Sequence, residues 1–412
     1  MLVSLDKQAL KGSVDLVRSK SIANRLLIIQ ALSANGFNIK HCSNSQDSVT
    51  LQKLLSDLKS EDGADTLDVG PAGTCYRFLT AYLCLQKGNQ VLTGTERMLK
   101  RPIGPLVDAL RILGADIEYL GEEGYPPLRI GDSPLRADGP VDIKANISSQ
   151  FITALLLIAP YIQGGLDIRL KGPLASRPYL EMTLALMRRF NVNATLDGDL
   201  LRCPEGTYHG ADIEVESDWS AASYFYGLAA LLPGTELHLK GLELDSIQGD
   251  HALGLFMKKL GVETHKAEDG LLIRSSRPEL YAELFEMDFS DIPDTAQTMA
   301  VVFAMLEKEA VFSGLESLRI KETDRIAAIQ NELAQTGVSF RSEDDEHFYI
   351  KHDLQASDKG WNVKTYEDHR MAMAFALLAT QKEVFIEDPA VVGKSFPDFW
   401  KVLEELGFNL KP

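Results

Sequence analysis

Six apolar segments recur along this chain, and each begins with a cluster of polar or charged residues. They run from Ser19-Lys20-Ser21 into residues 23–29, from Pro71-Ala72-Gly73-Thr74 into Arg77-Phe78-Leu79, and from Ser148-Ser149-Gln150 into residues 151–155. The other three start at Ser217-Asp218-Trp219-Ser220, at Asp291-Ile292-Pro293-Asp294-Thr295 and at Glu367-Asp368-His369-Arg370. An apolar surface on all sides predicts helices buried all round. The polar starts predict capping and anion-contacting groups at each N-terminus. Six such N-termini aimed at one place would make an anion site.

A second, amphipathic helix type alternates with the first. Each copy ends in a turn leading into a strand, at Gly114, Asn191, Gly261, Gly337 and Gly407. These turns recur at roughly 70–77 residues, the signature of an internal repeat, and Gly or Asn just past the last helical turn predicts a left-handed cap. A weaker sixth copy lies at residues 51–58. Each unit therefore holds one buried helix, one amphipathic helix and short strands such as residues 115–119. Six units group into two α/β domains of three. The chain is expected to cross near Leu16 and return near Glu216, making residues 1–16 plus 217–412 one discontinuous domain and 17–216 the other.

Composition narrows the chemistry. At 412 residues the chain can build more than one core. A formal charge of −17 argues against nucleic-acid binding and for solubility. The four cysteines, Cys42, Cys75, Cys84 and Cys203, contain no Cys-x-x-Cys pair, which suits reduced thiols in a cytosolic protein. No apolar stretch follows a basic start at the N-terminus, as a signal peptide would require. The longest apolar run, residues 151–159, is short of the ~20 residues a membrane span needs. A cytoplasmic protein without a membrane partner is expected.

Against this acidic background Lys20, Arg25, Arg77, Arg97, Arg101, Arg177, Lys321, Arg325, Arg370 and Lys394 lie in or beside the polar helix starts. Gathered, they would focus a positive field on small anions, Arg as a bidentate clamp and Lys as a compact charge. Asp294 and Glu322 sit among them, able to serve as base, acid or electrostatic partner according to burial. Glu322 and Asp324 could equally be charges complementing a helix dipole. Gly393-Lys394-Ser395 resembles a P-loop tail but lacks its first glycine, Asp388 standing there. No histidine other than His369 stands out, and no metal is implied.

Together the stretches Ser19-Lys20-Ser21-Ile22-Ala23-Asn24-Arg25, Ala72-Gly73-Thr74 with Arg77, Arg101-Pro102-Ile103, Ser148-Ser149-Gln150, Ile292-Pro293-Asp294, Lys321-Glu322-Thr323-Asp324-Arg325 and Asp368-His369-Arg370-Met371-Ala372 closely resemble the 5-enolpyruvylshikimate-3-phosphate synthase family, in order along nearly the whole chain. That resemblance implies a two-domain inside-out α/β barrel, six β-α-β-α-β-β repeats with three per domain, and a site in the cleft between the domains. It implies transfer of the enolpyruvyl group of phosphoenolpyruvate to the 5-hydroxyl of shikimate 3-phosphate, with release of phosphate, no cofactor, and a monomeric enzyme of aromatic amino acid synthesis.

Carried over by motif, Lys20, Ser21, Arg25, Ser148, Ser149, Gln150, Ser176, Tyr179, Asp294, Ser317 and Lys321 would bind shikimate 3-phosphate. Lys20, Gly73, Arg101, Gln150, Arg325, Arg370 and Lys394 would hold phosphoenolpyruvate. Asp294 is the expected proton acceptor, Glu322 the donor, and Lys20 and His369 supporting groups. The inhibitor glyphosate takes the phosphoenolpyruvate place in this family, and Gly73 leaves room for it. Departures from the family pattern are Val17-Arg18 for Pro-Gly, Ala23 for Ser, Ser317 for Asn and Phe78 for Pro. The rivals are a UDP-N-acetylglucosamine enolpyruvyltransferase and a non-catalytic anion-binding protein. The Ser-Ser-Gln and Lys-Glu-Thr-Asp-Arg motifs disfavour the first, and the intact Asp294, Glu322 and Lys20 the second.

Overall fold

A computed structural model describes residues 1–60, 64–145, 148–172, 174, 176–276, 284–358 and 360–412. The chain divides into two compact units, Met1–Arg18 with Glu216–Pro412, and Ser19–Val215. Each has its own hydrophobic core. The exchange points fall at Arg18–Ser19 and Val215–Glu216, against the sequence expectation of Leu16 and Glu216. No helix among the described residues is long and apolar enough to cross a membrane.

One repeat shows the pattern. Strand Thr66–Asp68 leads through helix Gly73–Leu83 to strand Asn89–Thr93, then through helix Gly104–Ile112 to strands Ile117–Tyr119 and Leu128–Gly131. The first two strands pair in parallel, so a crossover is required, and the buried helix supplies it. The last two form a hairpin whose second strand pairs antiparallel with Asn89–Thr93. The same order, one parallel pair plus a hairpin, recurs in three of the other four-stranded sheets among the described residues, and in the fourth the hairpin is replaced by Leu2–Ser4 paired antiparallel with Asn409–Lys411. The sheet of the weak sixth copy is cut to one parallel pair, Ile39–Lys40 with Ile213–Glu214, and no hairpin follows its helix Gln46–Asp57 among the described residues.

The buried helices are as the pattern predicts. In Trp219–Leu231 every residue from Trp219 to Ala230 is buried, and Ala296–Met305 and His369–Phe375 are buried throughout. Each large apolar side chain so buried contributes about 1.5–3 kcal/mol. Their starts divide into two kinds. Ser19, Ser148, Asp218 and Asp368 accept a bond from the first turn, as expected. Ala72 and Thr295 make no such side-chain bond, so at Gly73 and Ala296 the expected cap is missing. The physical reason is residue type at Ala72, which has no oxygen to offer. At Thr295 the hydroxyl turns back to the Ile292 carbonyl. The five repeat turns all adopt positive φ, from 65° at Asn191 to 102° at Gly407.

Candidate functional site

In the discontinuous unit, three polar helix starts converge on one ionic cluster. A short 3-10 turn, Pro293–Thr295, places Asp294 just before the buried helix Ala296–Met305. Arg325 is the first residue of helix Arg325–Ala334, whose cap Asp324 accepts from the Ala327 amide. Asp368 caps helix His369–Phe375 through the Arg370 amide at 2.8 Å. The cluster is continuous. Arg325 donates to Asp368 at 2.7 Å, to Asp294 at 3.1 Å and to Glu322 at 3.0 Å. Arg370 reaches the Asp294 carboxylate at 2.8 Å, Lys321 lies 3.7 Å from it, and Lys394 donates to Glu322 at 2.9 Å.

Four cations thus meet three carboxylates, and the cluster keeps a positive excess suited to an anion. Burial works against the charge on Asp294, but Arg370, Lys321 and Arg325 outweigh it and hold the carboxyl well below the usual range. Burial lowers Lys321, with Arg325 and Arg370 adding to the effect and Asp294 opposing it. Arg325 is only 1% exposed, yet Asp368, Glu322 and Asp294 overcome the cost of burial and keep it charged. His369 is buried with its Nδ1 3.8 Å from Asp368, and Ser317 lies half-buried in the 3-10 turn Glu316–Ile320 that leads to Lys321.

The Ser19–Val215 unit carries a second set. Lys20 opens helix Lys20–Leu32 and pairs at 3.4 Å with buried Asp47. Ser21 offers its carbonyl to Arg25 at 2.8 Å, and Arg25 also donates to Thr183 at 2.8 Å, to the Tyr179 carbonyl at 3.1 Å and to Thr153 at 3.4 Å. None of these partners carries charge. Burial lowers Arg25 to about 10, so it remains a cation at neutral pH, and a buried cation with only neutral partners among the described residues favours an incoming anion. Gln150 bridges Arg77 at 2.8 Å and Thr74 at 3.1 Å. Ser148 caps the helix that Ser149 begins. Ser176 stands in the left-handed region, φ 55°, just before helix Arg177–Arg189.

Gly73 has a specific role here. A Cβ at this position would meet the guanidinium of Arg101 and come within 2.6 Å of that of Arg77. The absent side chain lets both cations close on a helix N-terminus that no side chain caps.

The structure brings Asp294, Lys321, Glu322, Arg325, His369, Arg370 and Lys394 together in one unit. It gathers Lys20, Ser21, Arg25, Gly73, Arg101, Ser148, Ser149, Gln150, Ser176 and Tyr179 in the other. Of the ten cations singled out by sequence, Arg97 and Arg177 are surface-exposed, and Arg177 pairs with Glu181 four residues on. Four partners escaped the sequence-based site list. Asp368 was legible as a helix cap. Asp47, Thr153 and Thr183 gave no local sign, being distant in sequence from the cations they hold. One exposed group of possible metal ligands, Asp344, Glu346 and His347, was not foreseen either.

The repeat order and the helix-start clusters define the fold of the enolpyruvyl transferases. Solved structures agree over the full chain: EPSP synthase from Acinetobacter baumannii at TM-score 0.80 and 22% identity, covering 99% of that chain, and the enolpyruvyl transferase NikO from Streptomyces tendae at 0.74 and 14%, covering 98%. The model of the EPSP synthase (3-phosphoshikimate 1-carboxyvinyltransferase) family matches residues 5–403. A 3-phosphoshikimate 1-carboxyvinyltransferase of Bacteroides fragilis is 44% identical over 98% of this chain and 97% of its own. That of Neisseria meningitidis serogroup B is 38% identical over 96% of each. The chain belongs to the EPSP synthase family.

Proposed function

We propose that the protein joins the enolpyruvyl group of phosphoenolpyruvate to the 5-hydroxyl of shikimate 3-phosphate and releases phosphate. The observation that carries the reading is Asp294 and Glu322 held within one ionic cluster by Lys321, Arg325, Arg370 and Lys394. Both substrates are polyanions, so binding calls for cations and helix N-termini.

In this reading, Lys20, Ser21, Arg25, Ser148, Ser149, Gln150, Ser176, Tyr179, Ser317 and Lys321 bind shikimate 3-phosphate. Arg101, Arg325, Arg370 and Lys394, with Gly73, Gln150 and Lys20, hold phosphoenolpyruvate. The two sets serve one substrate pair. The incoming anion competes with the carboxylates for their cations. Glu322, relieved of Arg325 and Lys394, would then carry a proton more readily in a dry site. It gives that proton to C3 of phosphoenolpyruvate while the 5-hydroxyl adds to C2 and Asp294 accepts the hydroxyl proton. A tetrahedral adduct forms. Its collapse breaks the C2–O bond to phosphate, loses a proton from C3 and leaves the enolpyruvyl ether. Cations fixed before reaction stabilise the charge that develops. His369, behind Asp368, supports the cluster.

Unbridged cysteines fit a reducing compartment, and we place the enzyme in the cytoplasm as a monomer. The deciding assay is phosphate release from phosphoenolpyruvate. Stimulation by shikimate 3-phosphate supports the reading. Stimulation by UDP-N-acetylglucosamine instead, or by neither acceptor, would overturn it.

A further inference from the structure

Asp250 is a buried carboxyl that the chemistry above leaves unused. It lies in the 3-10 turn Gly249–Ala252 and is 4% exposed. Ser220, in the first turn of helix Trp219–Leu231, donates to its Oδ2. Its Oδ1 has no hydrogen-bond partner and neither oxygen an ion-pair partner among the described residues. The contrast with Asp294, which has three cations, is chemical. A buried carboxylate without counter-charge is strongly disfavoured, so this pocket accommodates the neutral acid.

Helix Trp219–Leu231, whose Ser220 bonds Asp250, also packs on the turn that presents Asp294, and Ser223 meets Thr298 at 3.1 Å between it and helix Ala296–Met305. The charged groups acting on Asp250 are Asp294, Arg370 and the helix cap Asp218. Burial and Asp294 disfavour the charged form and raise its pKa to about 7, against the opposing pull of the Ser220 bond and Arg370.

We propose that Asp250 is a positioning residue of the anion cluster: neutral, it leaves Arg370 to phosphoenolpyruvate, and ionised, it competes for that guanidinium and weakens phosphoenolpyruvate binding. The inference rests on the reading of Arg370 given above. It makes the affinity for one substrate, rather than the chemical step, sensitive to pH through a group outside the list of contacts.

The test measures KM for phosphoenolpyruvate and kcat at saturating shikimate 3-phosphate, across roughly pH 6 to 8.5, a window suited to carboxyls raised by burial. Wild type, Asp250→Asn and Ser220→Ala are compared. Wild-type KM is expected to rise through this window by about fivefold relative to Asp250→Asn, a modest coupling between sites. Ser220→Ala removes a bond that favours the charged form, so its rise moves to higher pH. Identical KM profiles in wild type and Asp250→Asn overturn the proposal while the transferase reading stands. No phosphate release dependent on shikimate 3-phosphate overturns the transferase reading itself. If Asp250→Asn fails to fold, Ser220→Ala decides: an upward shift sustains the proposal and an unmoved midpoint overturns it.

Discussion

At the scale of single residues, the cluster around Arg325 separates binding from chemistry. Glu322→Gln keeps the shape of the side chain and can still accept from Arg325, but it has no proton to give. Turnover is expected to fall about 10²-fold or more, with KM for both substrates changing much less. Steady-state kinetics with single-turnover rates check this, and normal turnover would end the donor assignment. Gly73 makes a different prediction. A methyl there displaces Arg101 and Arg77, so Gly73→Ala should weaken glyphosate inhibition and also raise KM for phosphoenolpyruvate, the inhibitor suffering more because it is longer. Inhibition constants of both proteins at matched phosphoenolpyruvate decide it. Phe78, one turn on, is buried with its ring 5.8 Å from Arg25, which ties the two cation groups of this unit to one helix. The cations and Glu322 were legible because their motifs announce them. Asp47 and Asp250 were not, because each earns its place through a partner far along the chain, Lys20 and Ser220 respectively.

At the scale of elements, the alternation of two helix types was readable in the apolar pattern, since burial all round and burial on one stripe leave different sequences. The left-handed turns were readable too, because few residues tolerate positive φ. The missing cap at Ala72 was not anticipated: a polar cluster in sequence says nothing about which member faces the amides. The turn at Gly114 offers a clean test of the repeat. Its φ is 97°, and the nearest atom to an added Cβ is the Pro134 carbonyl oxygen at 3.7 Å. Gly114→Ala therefore meets backbone strain with no clash, and should cost about 1–2 kcal/mol. Gly337→Ala has the same kind of φ but would press on Ala356 and Leu354 at 3.3 Å, and should cost more. Urea melts of the two variants check the order, and equal losses would mean that packing does not matter at these turns.

At the scale of the whole molecule, the two units have separate cores, and a cavity cut into one should register there first. Leu155 is fully buried in the Ser19–Val215 unit. Leu155→Ala is expected to remove about 2–5 kcal/mol from that unit and to split or broaden the calorimetric transition, leaving the later part unmoved. A single sharp transition shifted as a whole would show that the units unfold together. The strand pairing also imposes an order on synthesis. The Ser19–Val215 unit is one uninterrupted stretch, so its partners are all made before the ribosome reaches the other half. Strand Lys11–Asp15 must wait for Glu236–Lys240, and Leu2–Ser4 for Val384–Ile386 and Asn409–Lys411. At roughly 5–20 residues per second, the earliest-made strand remains without partners for about 20 to 80 seconds. A nascent chain arrested before residue 384 would carry a finished unit together with an amino-terminal strand that has nothing to pair with, an edge for chaperones to guard until the last residues arrive.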